Sequence, residues 1–95
     1  MKRVTGRMLD EKDTPLEIIV KAIELNGNCY PSLIGSSSSD RKGYFDLELS
    51  ESADHIMLCF YHARELVQVI EKKNFNGDID LGDISASSQN IAVKG

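Results

Sequence analysis

The amino-acid sequence predicts an all-β sandwich. Segments of strand length recur along the chain. Most of them alternate between apolar and polar residues, which is the pattern of strands that bury one face, and one is continuously apolar. Turn residues separate the segments about every 8–12 positions, as in small sandwiches. A chain of 95 residues fills one hydrophobic core. We therefore expect a single domain over residues 1–95, with a polar tail from about residue 86.

The first segment, residues 2–9, has the clearest strand alternation at the start of the chain. Val4, Gly6 and Met8 form one row, which is expected to point inward. The alternating row, which contains Arg3 and Arg7, is expected to point toward water. The polar stretch 10–15 contains a proline and predicts a turn. The sequence therefore opens with a strand that runs into a hairpin.

Two segments fit a helix as well as a strand. Thr14, Pro15 and Glu17 match a helix capping box with proline at the first helical position, which favours a helix near 15–25. Four β-branched residues in that stretch favour a strand, and its two mostly apolar faces suit a strand covered on both sides. The stretch 64–73 allows a helix with a basic last turn or an alternating strand. The alternative fold is therefore a small α+β protein with helices near 15–25 and 64–73.

The remaining segments are less ambiguous. Residues 29–40 fit a short edge strand that leads into a tight turn with Asp40 and Gly43. Residues 44–50 alternate strictly, and 55–62 form a continuous apolar run typical of a central strand. A last short strand covers 79–84, after the turn dipeptide Asn76-Gly77. This regular succession favours strands in the two ambiguous segments.

Three landmarks resemble those of carboxypeptidase regulatory-like (transthyretin-like, or prealbumin-like) domains. They are VTGRMLDEKDTPLE at 4–17, SSDRKGYFDL at 38–47 and IDLGDI at 79–84. They occur in the same order as in the family, and together they cover about residues 3–86. The resemblance implies a seven-stranded Greek-key β-sandwich that serves as an accessory part of larger periplasmic or cell-surface systems. The sequence departs from the family pattern at Asp13 and Ile18, where relatives often carry glycine, and at Ala63-Arg64, where many relatives have a Gly-Tyr turn.

Composition argues against several classes of function. The net charge is −4 and the basic clusters are short, whereas a nucleic-acid binder carries a basic surplus along one face. The apolar run 56–61 has six residues, far fewer than the roughly 20 that cross a bilayer, so we expect no membrane insertion. No apolar segment follows Lys2 and Arg3, so we expect no signal peptide in this chain.

No motif in the sequence specifies catalysis or a cofactor. His55 and His62 are seven residues apart, so they cannot chelate one metal ion. Cys59 beside a histidine is a formal nucleophile–base pair, but it lies in the most apolar segment, where a thiol is expected to be inert. The serines at 36–39 have no nucleophile motif around them. We therefore predict no catalytic, cofactor-binding or metal-binding residues.

Two alternatives remain open at the level of side chains. Asp78, Asp80 and Asp83 supply the oxygen ligands that calcium prefers, but they lack the spacing of an EF-hand loop, and a solvated strand face is enough to explain them. Cys29 and Cys59 could form one disulfide in an exported protein, or stay as two buried thiols.

The sequence therefore predicts a non-catalytic accessory or interaction module that contacts a protein partner through a sheet face or an edge strand. The stretch 29–39 is the best edge for adding a strand of the partner. A small intracellular α+β protein with a regulatory or ligand-binding role is the alternative. A hydrolase that uses Cys59 and His62 is a third hypothesis. The identity of the partner and the oligomeric state lie beyond the sequence.

Overall fold

The structure of the chain is a computed structural model, and it describes residues 2–25, 31–50, 53–73 and 77–86. These residues form seven strands and no helix, and hence no helix that could cross a membrane. The strands are β1 (Arg3–Leu9), β2 (Ile19–Glu24), β3 (Ser32–Ser38), β4 (Tyr44–Glu48), β5 (His55–His62), β6 (Glu65–Lys73) and β7 (Ile79–Ser85). The predicted all-β sandwich is confirmed, and the α+β alternative is wrong.

The strands form two sheets packed face to face. One sheet has the order β4-β1-β7 and the other the order β3-β2-β5-β6. Every pair is antiparallel except β1 with β7. The chain runs through β2, β3 and β4, and β5 then returns to lie beside β2, which is the Greek-key connection.

The segment near 15–25 is a strand because its capping box is used in a turn. The Oδ1 atom of Asp10 accepts hydrogen bonds from the backbone N–H groups of Lys12, at 2.8 Å, and Thr14, at 2.9 Å. These two bonds, with the one from Thr14 as the larger cause, lower the pKa of Asp10 below its ordinary value. Asp13 has a φ of 64°, a left-handed backbone that aspartate tolerates better than most residues. Thr14 is thus a turn residue, and no helix begins there.

The strand β2 is covered on one side only. Val20 and Ala22 are fully buried against the core, whereas Ile19, on the opposite face, is 45% exposed. The prediction of a strand covered on both sides is therefore wrong. Each sheet of a two-layer sandwich has one inner and one outer face, and no third layer covers the outer face of β2 in the described residues.

The second ambiguous segment is also a strand, β6, joined to β5 by a two-residue turn. Ala63 and Arg64 have φ values of 51° and 71°. A two-residue hairpin loop with positive φ at both positions is a type I′ turn, which normally contains asparagine and glycine. The strand favoured for this segment is confirmed, and the alternative of a helix near 64–73 is wrong, because β6 pairs with β5 from Glu65 to Lys73.

The core lies between the two sheets. Phe45 of β4 and Phe60 of β5 meet edge to face, with ring centroids 5.5 Å apart and an interplanar angle of 62°. Gly6 lies opposite Phe45 on β1, and a Cβ atom at Gly6 would lie 2.8 Å from Cζ of that ring. The inward rows predicted in the first strand and in residues 44–50 are confirmed by the burial of Val4, Met8, Phe45, Leu47 and Leu49.

Some predictions lie outside the described residues. They concern Cys29, and therefore its disulfide with Cys59, the turn residue Asn76, and the polar tail beyond Ala86.

The first prediction concerns the turn between β3 and β4. Gly43 has a φ of +86°, and a Cβ atom there would clash with the carbonyl oxygen of Met8, whereas Gly77 has a φ of +73° with open space around it. We expect Gly77→Ala to lower the free energy of unfolding by about 1 kcal/mol, for the left-handed backbone alone. Gly43→Ala should lower the free energy of unfolding by at least about 2 kcal/mol more than Gly77→Ala does, because the turn must also move to avoid the clash. Urea unfolding measures both, and equal losses would contradict the clash.

The second prediction concerns the turn between β5 and β6. Changing Ala63→Asn and Arg64→Gly together should raise the free energy of unfolding by about 1–2 kcal/mol, because Asn-Gly adopts a type I′ turn with little strain. Urea unfolding of the double variant checks this. Ser36→Asn, an exposed position in β3, is the control and should not stabilise the fold. An unchanged or lower stability of the double variant would argue against the turn type.

Candidate interaction surface

The outer face of the three-stranded sheet is charged. Residues directly opposite each other on neighbouring strands share a face, and the registers of β1, β4 and β7 therefore define a polar face. Arg3 lies in it beside two carboxylates, with its Nε atom 2.9 Å from Asp46 and an Nη atom 3.7 Å from Glu48. The polar face comprises Arg3, Thr5, Arg7, Tyr44, Asp46, Glu48, Asp80 and Asp83.

The outer face of the four-stranded sheet carries large apolar side chains, with Lys21, Glu71 and Lys73 among them. The registers of β2, β3, β5 and β6 place seven large apolar side chains on it. Ile19 is 45% and Leu33 59% exposed, and the other five are half-buried. This apolar face comprises Ile19, Ile23, Leu33, Met57, Tyr61, Leu66 and Val69.

The apolar face differs from an ordinary protein surface because its apolar side chains lie on four neighbouring strands. Single exposed apolar residues are normal on soluble proteins, but a patch that extends over four neighbouring strands marks an interaction site. Ile23 links the patch across strands, since it lies opposite Leu33 on one side and Met57 on the other. The two outer faces of the sandwich therefore differ in chemistry.

Cys59 lies in the middle of the apolar face, away from any base. It is 6% exposed yet outside the core cluster, because its register partners Lys21 and Val69 cover it from the outer side. Burial raises the pKa of its thiol, which keeps the thiol in its unreactive protonated form.

The two histidines have partners at opposite ends of β5. His55 Nε2 hydrogen-bonds to a carboxylate oxygen of Glu71, and this bond lowers the pKa of Glu71. His62 Nδ1 donates to the backbone carbonyl of Glu17 at 2.8 Å. The structure therefore brings neither histidine to Cys59.

The free edges of the sandwich are partly bridged. At the β3 edge, the carbonyl oxygen of Ile34 accepts a 2.8 Å hydrogen bond from the N–H of Ser50. Within the stretch 29–39 proposed for strand addition, β3 is an edge strand. The bond from Ser50 occupies one of the backbone carbonyl groups that a partner strand would need. At the other edge, Gln68 donates to the carbonyl oxygen of Ser85 at 3.0 Å and accepts from the N–H of Val69 at 2.9 Å.

The three aspartates considered for calcium have protein partners or lie apart. Asp78 Oδ1 accepts from the N–H of Arg3, and Asp80 Oδ1 accepts from the N–H of Gly82, both at 3.0 Å. A bulge at Gly82, where φ is +69°, places Asp80 and Asp83 on the same face. Within the described ranges, no three acidic, histidine or cysteine side chains are grouped as metal ligands would be.

A groove opens at one end of the apolar face, beside the turn between β5 and β6. Its volume is about 510 Å³. Ile19 and Tyr61 contribute apolar walls, and Lys21 and Arg64 contribute positive charge. The ammonium of Lys21 lies 5.4 Å from the ring centroid of Tyr61, a cation–π contact.

The apolar residues of this surface are visible in the sequence of β2, where they predicted a strand covered on both sides. Ile19, Lys21 and Ile23 share one row of β2, and an apolar row opposite a core row indicates either a second layer or a binding face. The choice requires knowledge of what lies beyond the sheet, which a single strand's pattern does not contain. The groove was not predicted, because it joins residues from β2, β3 and the β5–β6 turn.

Comparisons with known proteins support the fold. No protein-family model and no curated protein matches the chain. The chain is similar to part of a solved structure, a 9R-lipoxygenase from Cyanothece PCC8801, with a TM-score of 0.70 and 14% sequence identity. The match covers 88% of this chain and 16% of the lipoxygenase chain. At this identity the similarity is one of fold.

The third prediction tests the two sides of β2. Val20→Thr should lower the free energy of unfolding by about 1–3 kcal/mol, because it places a hydroxyl in the core. Ile19→Thr, at the neighbouring position, should change it by less than about 0.5 kcal/mol, because Ile19 is already 45% exposed and threonine suits a strand. Urea unfolding of both variants distinguishes them, and a large loss for Ile19→Thr would show that the apolar face is covered within the chain.

Proposed function

We propose that this domain is a non-catalytic interaction module that binds a protein partner through its apolar face. The observation that carries the proposal is the apolar face, which includes Ile19 and Leu33 at 45% and 59% exposure. Burial of apolar area is the main source of binding free energy between proteins. A partner that covers this face would remove from water side chains that the sandwich itself leaves exposed.

The apolar face is a better contact surface than either bridged edge. Strand addition needs a row of unpaired backbone groups. The Ser50–Ile34 bond occupies part of the β3 edge, and the Gln68 side chain occupies part of the β6 edge. Binding through the face requires no such bond to be broken.

An accessory role in a larger protein system agrees with two further observations. The fold match covers 16% of the lipoxygenase chain, so a sandwich of this kind occurs as one part of a longer protein. The family landmarks lie in β1 and the turn after it, in the β3–β4 connection, and in β7. We propose on this basis a carboxypeptidase regulatory-like domain of an exported or surface system. Fold similarity alone does not assign a function.

The fourth prediction compares the two outer faces by photo-crosslinking. A benzophenone amino acid at Leu33 probes the apolar face, and the same residue at Tyr44, which is 51% exposed, probes the polar face. In cells that naturally express the protein, irradiation should give a discrete adduct from Leu33 and none from Tyr44. Ile19→Asp should abolish the adduct, because it places a charge in the apolar contact.

The mass of the adduct identifies the occupant of the face. A heterologous protein in the adduct agrees with the proposal, whereas an adduct of two copies of this chain would assign the face to self-association. Equal labelling from both positions, or none from Leu33, would contradict binding through the apolar face.

A further inference from the structure

The groove beside the β5–β6 turn combines apolar walls with unbalanced positive charge. Its volume of about 510 Å³ lies within the roughly 300–1,000 Å³ range of protein binding pockets. It shares Ile19, Lys21 and Tyr61 with the outer side of the four-stranded sheet. It is therefore a recess at the end of the apolar face, continuous with it.

The charge in the groove is opposite in sign to that of the whole chain. Lys21 and Arg64 line the groove against one carboxylate, that of Glu17, while the chain carries a net charge of −4. Among the described residues, no ion pair includes Lys21 or Arg64. The ammonium of Lys21 contacts the ring of Tyr61 instead. The side chains that line the groove thus carry a net charge of +1.

We propose that the groove receives an apolar side chain of the partner protein together with an adjacent carboxylate. The apolar group packs against Ile19 and Tyr61, and the carboxylate pairs with Lys21 and Arg64. Complementary charge at the rim of an apolar contact selects the partner and its orientation. This inference rests on the proposed function, and it adds the chemistry of the partner segment.

The test is a titration of the uniformly ¹⁵N-labelled full chain with three blocked peptides. They are acetyl-Gly-Phe-Glu-Gly-amide and its variants with glutamine or lysine in place of glutamate. We expect the glutamate peptide to shift the amide signals of Ile19, Lys21, Tyr61 and Arg64, and to bind about 2- to 10-fold more tightly than the glutamine peptide. The preference should shrink in 0.5 M salt, because salt screens the charge pairs.

Matched variants assign the preference to the groove. Lys21→Gln and Arg64→Asn should each reduce the preference for the glutamate peptide by about two- to five-fold, and asparagine tolerates the left-handed backbone at position 64. Lys73→Gln removes one positive charge at the opposite end of β6 and should leave the preference unchanged.

Three outcomes would overturn the inference. They are equal binding of the three peptides, signal shifts confined to the polar face, and an equal loss of preference in Lys73→Gln. Free 4-phenylbutyrate is a further probe. If it binds more tightly than the glutamate peptide, the groove is a site for a small carboxylate ligand and the protein-segment proposal is wrong.

The two proposals fail in distinguishable ways. In the first case, the Leu33 crosslink forms, and neither Lys21→Gln nor Arg64→Asn changes the crosslink or the peptide preference. The apolar face then binds a partner, and only the groove inference is wrong. If the Leu33 crosslink does not form, the proposed function fails, and the partner-segment inference fails with it.

Discussion

The contact between Phe45 and Phe60 is the interaction on which the two-layer fold depends. It joins β4, at the edge of one sheet, to β5, inside the other, with ring centroids 5.5 Å apart, and aromatic side chains bury large apolar areas. Gly6 is required on β1 because any side chain there would meet the Phe45 ring. The inner faces of both sheets are therefore shaped around one aromatic pair.

This packing decides which faces remain for binding. A two-layer sandwich covers one face of each sheet and leaves the other face to the solvent or to a partner. Here the remaining faces differ: the polar face contains Arg3 with its carboxylate partners, and the apolar face contains Ile19 and Leu33. The surface proposed for partner binding is a consequence of the core, because β2 cannot bury both of its rows in a two-layer structure.

The backbone departs from a regular strand period at positions that the residue pattern does not mark. The bulge at Gly82 places Asp80 and Asp83 on one face although they are three residues apart, whereas a period of two places such residues on opposite faces. Ala63 and Arg64 form a type I′ turn without the usual asparagine and glycine, so the turn had no sequence signal. The helix signal at Thr14 was misleading because local hydrogen-bonding residues serve turns as well as helix caps.

The sequence by itself determined the strand-rich class, the inward rows of β1 and β4, and the turn at Asp40 and Gly43. These features depend on alternation and on local backbone chemistry, which a few neighbouring residues contain. Only the tertiary structure decided that the outer row of β2 is open and that Lys21 and Arg64 line one groove. Both results depend on how distant strands pack, because an apolar row has the same pattern whether a second layer, a partner or water lies against it.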